Sequence, residues 1–329
     1  MRESSGLHLD PLETLPNEIA WSRLQRAAMH SAHMRAFQRA LLPSPVDAAC
    51  RPSPAELRAA VLDDLATYFD LTPDECVERC VNWEIYSLQE WYARQRDSAE
   101  AITDFYDTVQ SWSFDLLWFA CLQATGHAYP VSTVLARSLP VQPGARHLDF
   151  GSGAGVTSQL FAALGYETVL ADISTPLLTF ARYRLDRRGT PATYINLNHD
   201  ALPAGRFDVI TAIDTLVHVP DVAATARELH RALRPGGVLF ANFDTRPQTY
   251  ENAWHLYDDD RPLRFALHRA GFEPERNFDG MITRYRRVEP GTLTHSARGA
   301  RDAVILRSPL RHWYRRARAR LGRAAGGGV

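Results

Sequence analysis

The run His147-Leu148-Asp149-Phe150-Gly151-Ser152-Gly153-Ala154-Gly155 sets an acid at the end of an apolar strand, then three glycines two apart, then the start of a helix. Each part has a physical use. Glycine reaches positive φ and lets a ligand lie against bare backbone, and the first turn of the following helix offers amides without partners of their own. A dinucleotide fingerprint, Gly-x-Gly-x-x-Gly, would need its third glycine at Val156. The spacing Gly-x-Gly-x-Gly with Asp149 in front fits a different ligand.

Downstream of this run, strands alternate with helices, the pattern of a parallel sheet covered on both faces. Strands are expected at 146–150, 168–172, 192–195, 207–213, 237–243, 272–278 and 281–287, with helices filling the gaps. Gly280 permits a tight hairpin, so the last strand should run antiparallel to its neighbours. Upstream the pattern is helical throughout. One helix is expected over 17–42 with Asn17 as N-cap and another over Ala55–Phe69. A longer one should start at Thr72-Pro73-Asp74-Glu75 and run through Cys76, Cys80, Leu88 and Trp91, and a last one should cover Ala99–Thr125 and stop at Gly126. Three regions follow: a helical region at 1–140, a strand-and-helix domain at 141–290, and a basic tail at 291–329.

Arg146 to Arg287, about 140 of 329 residues, resembles the class I methyltransferases, in particular their ubiquinone/menaquinone-biosynthesis-like branch. The features that carry the resemblance occur in order. They are Asp149 with Gly151, Gly153 and Gly155; Val169-Leu170-Ala171-Asp172; His199-Asp200-Ala201-Leu202-Pro203; Phe207 through Asp214 with His218-Val219-Pro220-Asp221; and Leu233-Arg234-Pro235-Gly236-Gly237. The resemblance implies a Rossmann-like, doubly wound α/β fold with a seven-stranded sheet, its last strand antiparallel, preceded by an all-helical N-terminal domain. It implies S-adenosyl-L-methionine as cofactor. Asp149, Gly151, Ser152, Gly153 and Gly155 would wrap the methionine part. Asp172, followed by Ile173, would take the ribose hydroxyls, and Asp200 with Ala201 would meet the adenine. Asp214 would line the sulfonium end.

A sulfonium methyl is already electrophilic, so the protein need only align a nucleophile, exclude water and dispose of a proton. His218, just beyond the fourth strand, is the candidate general base; packing against the cofactor or capping the next helix is the competing role. Asp244, Tyr250, Trp254 and His255 follow the fifth strand and are candidate substrate contacts, with ordinary loop structure as the alternative for each. Five of the seven tryptophans (Trp21, Trp83, Trp91, Trp112 and Trp118) lie in the helical region. They pack helix on helix and, as in related enzymes with added helices, would shape a lid over the acceptor.

Composition narrows the rest. The chain is 45% hydrophobic, and no stretch approaches the roughly twenty apolar residues of a membrane span. Glu3, Asp10, Glu13 and Glu18 interrupt what a signal peptide would keep apolar, so a cytoplasmic protein is expected. Four cysteines are too few for a disulfide framework; Cys76 and Cys80 share a helix face, where packing is a better reading than a metal, and no metal site is expected. The formal net charge is −1, yet residues 284–329 hold twelve arginines against Glu289 and Asp302, a local +10. From Ser308, the residues Leu310, Trp313, Tyr314, Ala317 and Leu321 share one face among arginines, the pattern of an interfacial helix on anionic membrane. Docking on the acidic body, a solubilising tail and weak polyanion binding compete with that reading. Nucleic acid is not the expected partner, because the remainder of the chain is acidic.

The functional expectation is methyl transfer from S-adenosylmethionine to a small-molecule or glycan acceptor, at oxygen ahead of carbon or nitrogen. The alternative is a non-catalytic S-adenosylmethionine-binding protein with a regulatory or scaffolding role. A nicotinamide-dependent oxidoreductase is disfavoured by the glycine spacing.

Overall fold

The computed structural model describes residues 10–289 except 45, 95–97, 141, 248 and 251–253; the basic tail and its expected helix from Ser308 lie outside the described residues. The helical region is more finely divided than the periodicity suggests. Ser22 caps α1 (Arg23–Met29) and Ser31 caps α2 (Ala32–Leu41), their hydroxyls accepting from the amides of Gln25 and Met34 at 3.0 and 3.1 Å. The single helix expected over 17–42 is therefore broken, because each serine satisfies orphan amides and restarts the helix. Asn17 makes no capping bond and precedes only a short 3₁₀ turn, Glu18–Ala20.

α3 (Pro54–Phe69) and α4 (Pro73–Val81) both begin with capping boxes, Ser53 with Glu56 and Thr72 with Glu75. The long helix expected after Thr72 ends at Asn82, whose side chain donates to the Glu78 carbonyl at 3.1 Å, and restarts as α5 (Trp83–Tyr92). The run 99–125 is likewise two helices, α6 (Ala99–Tyr106) and α7 (Ser111–Thr125). The Thr108 hydroxyl donates to the carbonyls of Asp104 and Phe105, while the Glu90 carboxylate accepts from the amides of Gln110 and Ser111 and starts the new helix. α7 ends at Gly126 as expected, with φ +87°, and α8 (Val131–Arg137) leads toward the sheet.

The sheet comprises β1 (Arg146–Phe150), β2 (Glu167–Asp172), β3 (Thr193–Asn196), β4 (Phe207–Ala212), β5 (Leu233–Ala241), β6 (Phe272–Phe278) and β7 (Ile282–Arg287), in the order β3-β2-β1-β4-β5-β7-β6. β1 to β5 are parallel, and β7 runs antiparallel between β5 and β6, as the hairpin at Asp279-Gly280 (φ +50° and +77°) requires. The helices between strands are α9 (Val156–Ala163), α10 (Thr175–Arg187), α11 (Val222–Ala232) and α12 (Arg261–Ala270). No helix joins β3 to β4: the intervening residues, with Pro203 and Gly205 among them, are too few and too turn-prone to form one. β5 starts four residues earlier than expected, since Leu233 already pairs with Phe207 ahead of a register shift.

The largest buried cluster crosses the sequence boundary near 140. It joins Met34, Phe37, Leu57, Leu65, Cys76, Cys80 and Leu117 of the helices to Leu160, Phe161, Phe180 and Phe240 of the sheet domain. Chain direction reverses its lateral spread between β1 and β4, which places a crevice at the carboxyl ends of those strands. The helical region covers that crevice. No helix among the described residues is long and apolar enough to cross a membrane.

Candidate active site

The glycine loop is held from below by β2 and from behind by α10. The amides of Gly151 and Ser152 donate to the Ala171 carbonyl at 2.8 and 3.2 Å, and the Gly153 amide donates to Asp172 Oδ2 at 2.8 Å. Gly151 and Gly153 have φ of +68° and +50°, and neither has room for a side chain: a Cβ would lie 2.2 Å from Thr215 Cγ2 and 2.5 Å from Leu116 Cδ1 respectively. Gly155 serves packing, its position facing Leu170, Ala181 and Leu185. Asp149 is buried beneath the loop. It accepts from the Ser158 amide and hydroxyl and from Thr211 Oγ1, stapling the loop to α9 and β4, and burial pushes its carboxyl up to about 6.

Above the loop lies a cavity of about 820 Å³. Of the residues singled out from the sequence, it brings together Gly151, Gly153, Asp172, Ile173, Asp214, His218, Asp244, Trp254 and His255. Asp149, Ser152, Gly155, Asp200, Ala201 and Tyr250 are not on its wall. Asp200 and Ala201 are exposed, and their loop presents Leu197 to the cavity instead. Tyr250 stacks on Tyr92 with ring centroids 4.3 Å apart, outside the cavity, tying the loop after β5 to α5.

Asp172 accepts from the amides of Gly153 and Ser174, one on each oxygen, and burial holds its carboxyl above the ordinary range. Each oxygen keeps a second lone pair for a ligand hydroxyl. Asp214 sits in the left-handed region at φ +51°, pinned by a reciprocal pair with Asn242: its amide donates to Asn242 Oδ1 at 2.6 Å, and Asn242 Nδ2 donates back to its carboxylate. Left-handed backbone in a non-glycine residue is strained, and the pair with Asn242 holds it. Asp244 pairs with Arg246 at 2.6 Å.

His218 belongs to a 3₁₀ turn (Leu216–His218) directly after β4. Its Nδ1 lies 2.8 Å from the Trp254 carbonyl, an oxygen that can only accept, so Nδ1 carries the proton and Nε2 the lone pair. Burial lowers its pKa, keeping the ring neutral near pH 7. The His255 ring lies 4.9 Å away, and burial takes that histidine down to about 4. Trp254 itself is buried among Trp83, Trp91, Phe105 and Tyr106 of α5 and α6.

The helical region supplies another part of the wall: Trp83 and Glu84 of α5, Tyr106 of α6, Trp112, Asp115, Leu116 and Phe119 of α7, and Tyr129 and Val131. Asp115 was missed in the sequence, although the signal was there. It lies on the same helical face as Trp112, Leu116 and Phe119, a lone acid in an apolar stripe. Asn242, Phe243 and Arg246, which flank Asp244, were also missed; nothing in their spacing sets them apart from ordinary loop residues.

Comparison with known proteins bears on the same segment. Residues 148–241 match the family model described as a methyltransferase domain. The ubiquinone biosynthesis O-methyltransferase of Azotobacter vinelandii is 34% identical over 111 residues, 32% of this chain and 48% of that protein. The enzyme of the same name from Aromatoleum aromaticum is 37% identical over 100 residues, 30% and 43% of the two chains. The chain thus spans less than half the length of these curated relatives. Among solved structures, an S-adenosylmethionine-dependent methyltransferase from Mesorhizobium loti is 23% identical with a TM-score of 0.39, covering 48% of this chain and 97% of that one. The sequence match contains the glycine loop, Asp172, Asp214 and His218, and over residues 148–241 the chain is similar to the methyltransferase domain and to these O-methyltransferases.

Proposed function

We propose that the protein transfers a methyl group from S-adenosylmethionine to an oxygen of a small acceptor held between the helical roof and the strand ends. The observation that carries this reading is one continuous cavity, running from Gly151, Gly153 and Asp172 to His218. The residues present fit the cofactor. Gly151 and Gly153 present bare backbone at left-handed φ, and Asp172 ends β2 with oxygens still able to accept. When bound, the cofactor supplies an electrophilic methyl on a sulfonium.

The chain's own residues do the remainder. Gly151 and Gly153 give close approach, Asp172 is suited to paired hydroxyls, and Ile173, Leu177 and Leu197 offer apolar surface beside it. His218 Nε2 takes the proton that the acceptor hydroxyl loses as it attacks, while the Trp254 carbonyl holds the ring in the productive tautomer. The aromatic roof excludes water from the transfer. The relatives named as O-methyltransferases support oxygen as the atom methylated. A small-molecule acceptor and a cytoplasmic setting belong to the same reading.

Calorimetric titration with S-adenosylmethionine and S-adenosylhomocysteine tests it. Micromolar binding that Asp172→Ala and Gly153→Val abolish without unfolding the protein is the expected result. No binding by the folded native protein would overturn the reading.

A further inference from the structure

One carboxylate on the cavity wall has no part in the chemistry above. α7 presents Trp112, Asp115, Leu116 and Phe119 to the cavity, a single helix face by spacing. The other three side chains are apolar. Asp115 is partly buried, and among the described residues it neither accepts a hydrogen bond nor forms an ion pair.

The other acids on the wall differ in this respect, with Glu84 the exception. Asp172 is held by two amides, Asp214 by Asn242 and Asp244 by Arg246. Glu84, on α5 across from Asp115, is also without a hydrogen-bond partner among the described residues. The groups facing Asp115 from neighbouring elements are Asp214 after β4, Glu84 of α5 and Arg246 after β5. Burial and the two carboxylates push its carboxyl up to about 7, against the pull of Arg246.

A carboxylate partly withdrawn from water without a partner is costly, and the exposed Glu84 nearby adds repulsion. A cation removes both penalties. The surrounding wall suits one: Trp83, Trp112 and Phe119 lie on the same two helices, Trp254 packs against Trp83, Phe243 is also on the wall, and ring faces attract a positive charge in a partly dry cavity.

We infer that the acceptor carries a protonated amine, which Asp115 and Glu84 hold against the aromatic wall while a separate hydroxyl meets His218. The inference rests on the methyltransferase reading and sharpens it to a class of acceptor. Asp115 is then the specificity residue that the helical region contributes.

The test uses the full chain saturated with S-adenosylhomocysteine and a set of aromatic amines paired with neutral isosteres, phenethylamine with 2-phenylethanol among them, read by ligand-observed NMR. Amines should bind at least tenfold more tightly than their isosteres. Asp115→Asn should erase that preference and Glu84→Gln should weaken it, with S-adenosylhomocysteine affinity by calorimetry staying within twofold of native. Equal binding within pairs, no binding by any amine, or a preference that survives Asp115→Asn would overturn the inference. So would a selective loss of S-adenosylmethionine affinity in Asp115→Asn, which would mean that the carboxylate faces the sulfonium. Failure of native protein to bind S-adenosylhomocysteine is a different outcome, which removes the methyltransferase reading and this inference with it.

Discussion

Asp64 of α3 and Arg184 of α10 form an ion pair at 3.1 Å with both side chains wholly buried. The same guanidinium donates to the Ala154 carbonyl of the glycine loop at 2.6 Å and to Gln159 Oε1 at 2.8 Å, while Arg187 and Arg188 also donate to Asp64. The helical region is thereby wired to the glycine loop. Burial pulls the Arg184 pKa down to about 10, so it stays charged and depends on Asp64 for compensation. Removing one partner of such a pair costs about 3–5 kcal/mol. Asp64→Asn should therefore unfold at markedly lower denaturant than native, measured by urea titration. A chain lacking residues 1–130 should fail to fold, since it removes Asp64 from Arg184 and Arg188 and uncovers Leu160, Phe161 and Phe180 of the largest apolar cluster. A soluble, cooperative truncated domain would show that the wiring is dispensable.

The glycines make a second, sharper test. At Gly151 a methyl meets Thr215 on all near sides, and Thr215 is fixed by its own bonds to the Phe150 and Ile213 carbonyls. At Gly153 it meets only the end of Leu116, a flexible side chain. Both positions also carry the left-handed strain of about 1–2 kcal/mol for any residue with a Cβ. Gly151→Ala should lower both stability and S-adenosylhomocysteine affinity, the latter by more than tenfold. Gly153→Ala should lose less, and adding Leu116→Ala should recover part of that loss by calorimetry. Equal losses at the two sites, or no recovery, would contradict the packing described.

Acid sensitivity should come from His147. It is fully buried in β1, stacked on Phe161 with centroids 3.9 Å apart, and burial takes it down to about 3. An unfolded chain binds a proton at this ring below about pH 6.5, while the native state refuses it until near pH 3, so stability is lost as pH falls through that window. Asp149 acts in the opposite sense. Its raised pKa of about 6 means that the native state takes up a proton first, which offsets part of the loss between about pH 6 and 4. Urea unfolding of native protein and His147→Gln at pH 7.5, 6 and 5 checks the sign: the variant should show the shallower fall. An equal fall in both would assign the acid sensitivity elsewhere.

The legible parts of the sequence were those with a local cause. The seven strands, the antiparallel end at Gly280 and the glycine loop follow from period, turn chemistry and spacing, and each stands within a few residues of its expected place. The helix breaks at Ser31, Asn82 and Thr108 were not read, because a capping side chain in an amphipathic run looks like any other polar residue until its hydroxyl or amide finds the backbone. Asp149 illustrates the limit at the site. Its spacing before the glycines is plain in the sequence, but only the fold shows it turned beneath the loop toward Ser158 and Thr211. Asp64 and Arg184 are 120 residues apart, and no periodicity announces such a pair.

The last prediction concerns His218. With Nδ1–H fixed on the Trp254 carbonyl, Nε2 is the basic atom, and the lowered pKa keeps it unprotonated below the usual imidazole range. Transfer of labelled methyl from S-adenosylmethionine to the acceptor should then hold its rate from neutral pH to below about pH 6.5, and fall only as His218 itself takes up a proton. His218→Gln keeps a polar side chain but no base near neutrality, so the rate should drop by about 10²–10⁴-fold. Cofactor affinity should change little, since the His218 ring is held by the Trp254 carbonyl and not by the glycine loop or Asp172. If His218→Gln instead weakens S-adenosylmethionine binding in proportion to rate, the ring packs against the cofactor. If rate and binding both survive, the proton leaves by another route, and Asp115, raised to about 7 on the same cavity wall, is the next group to replace.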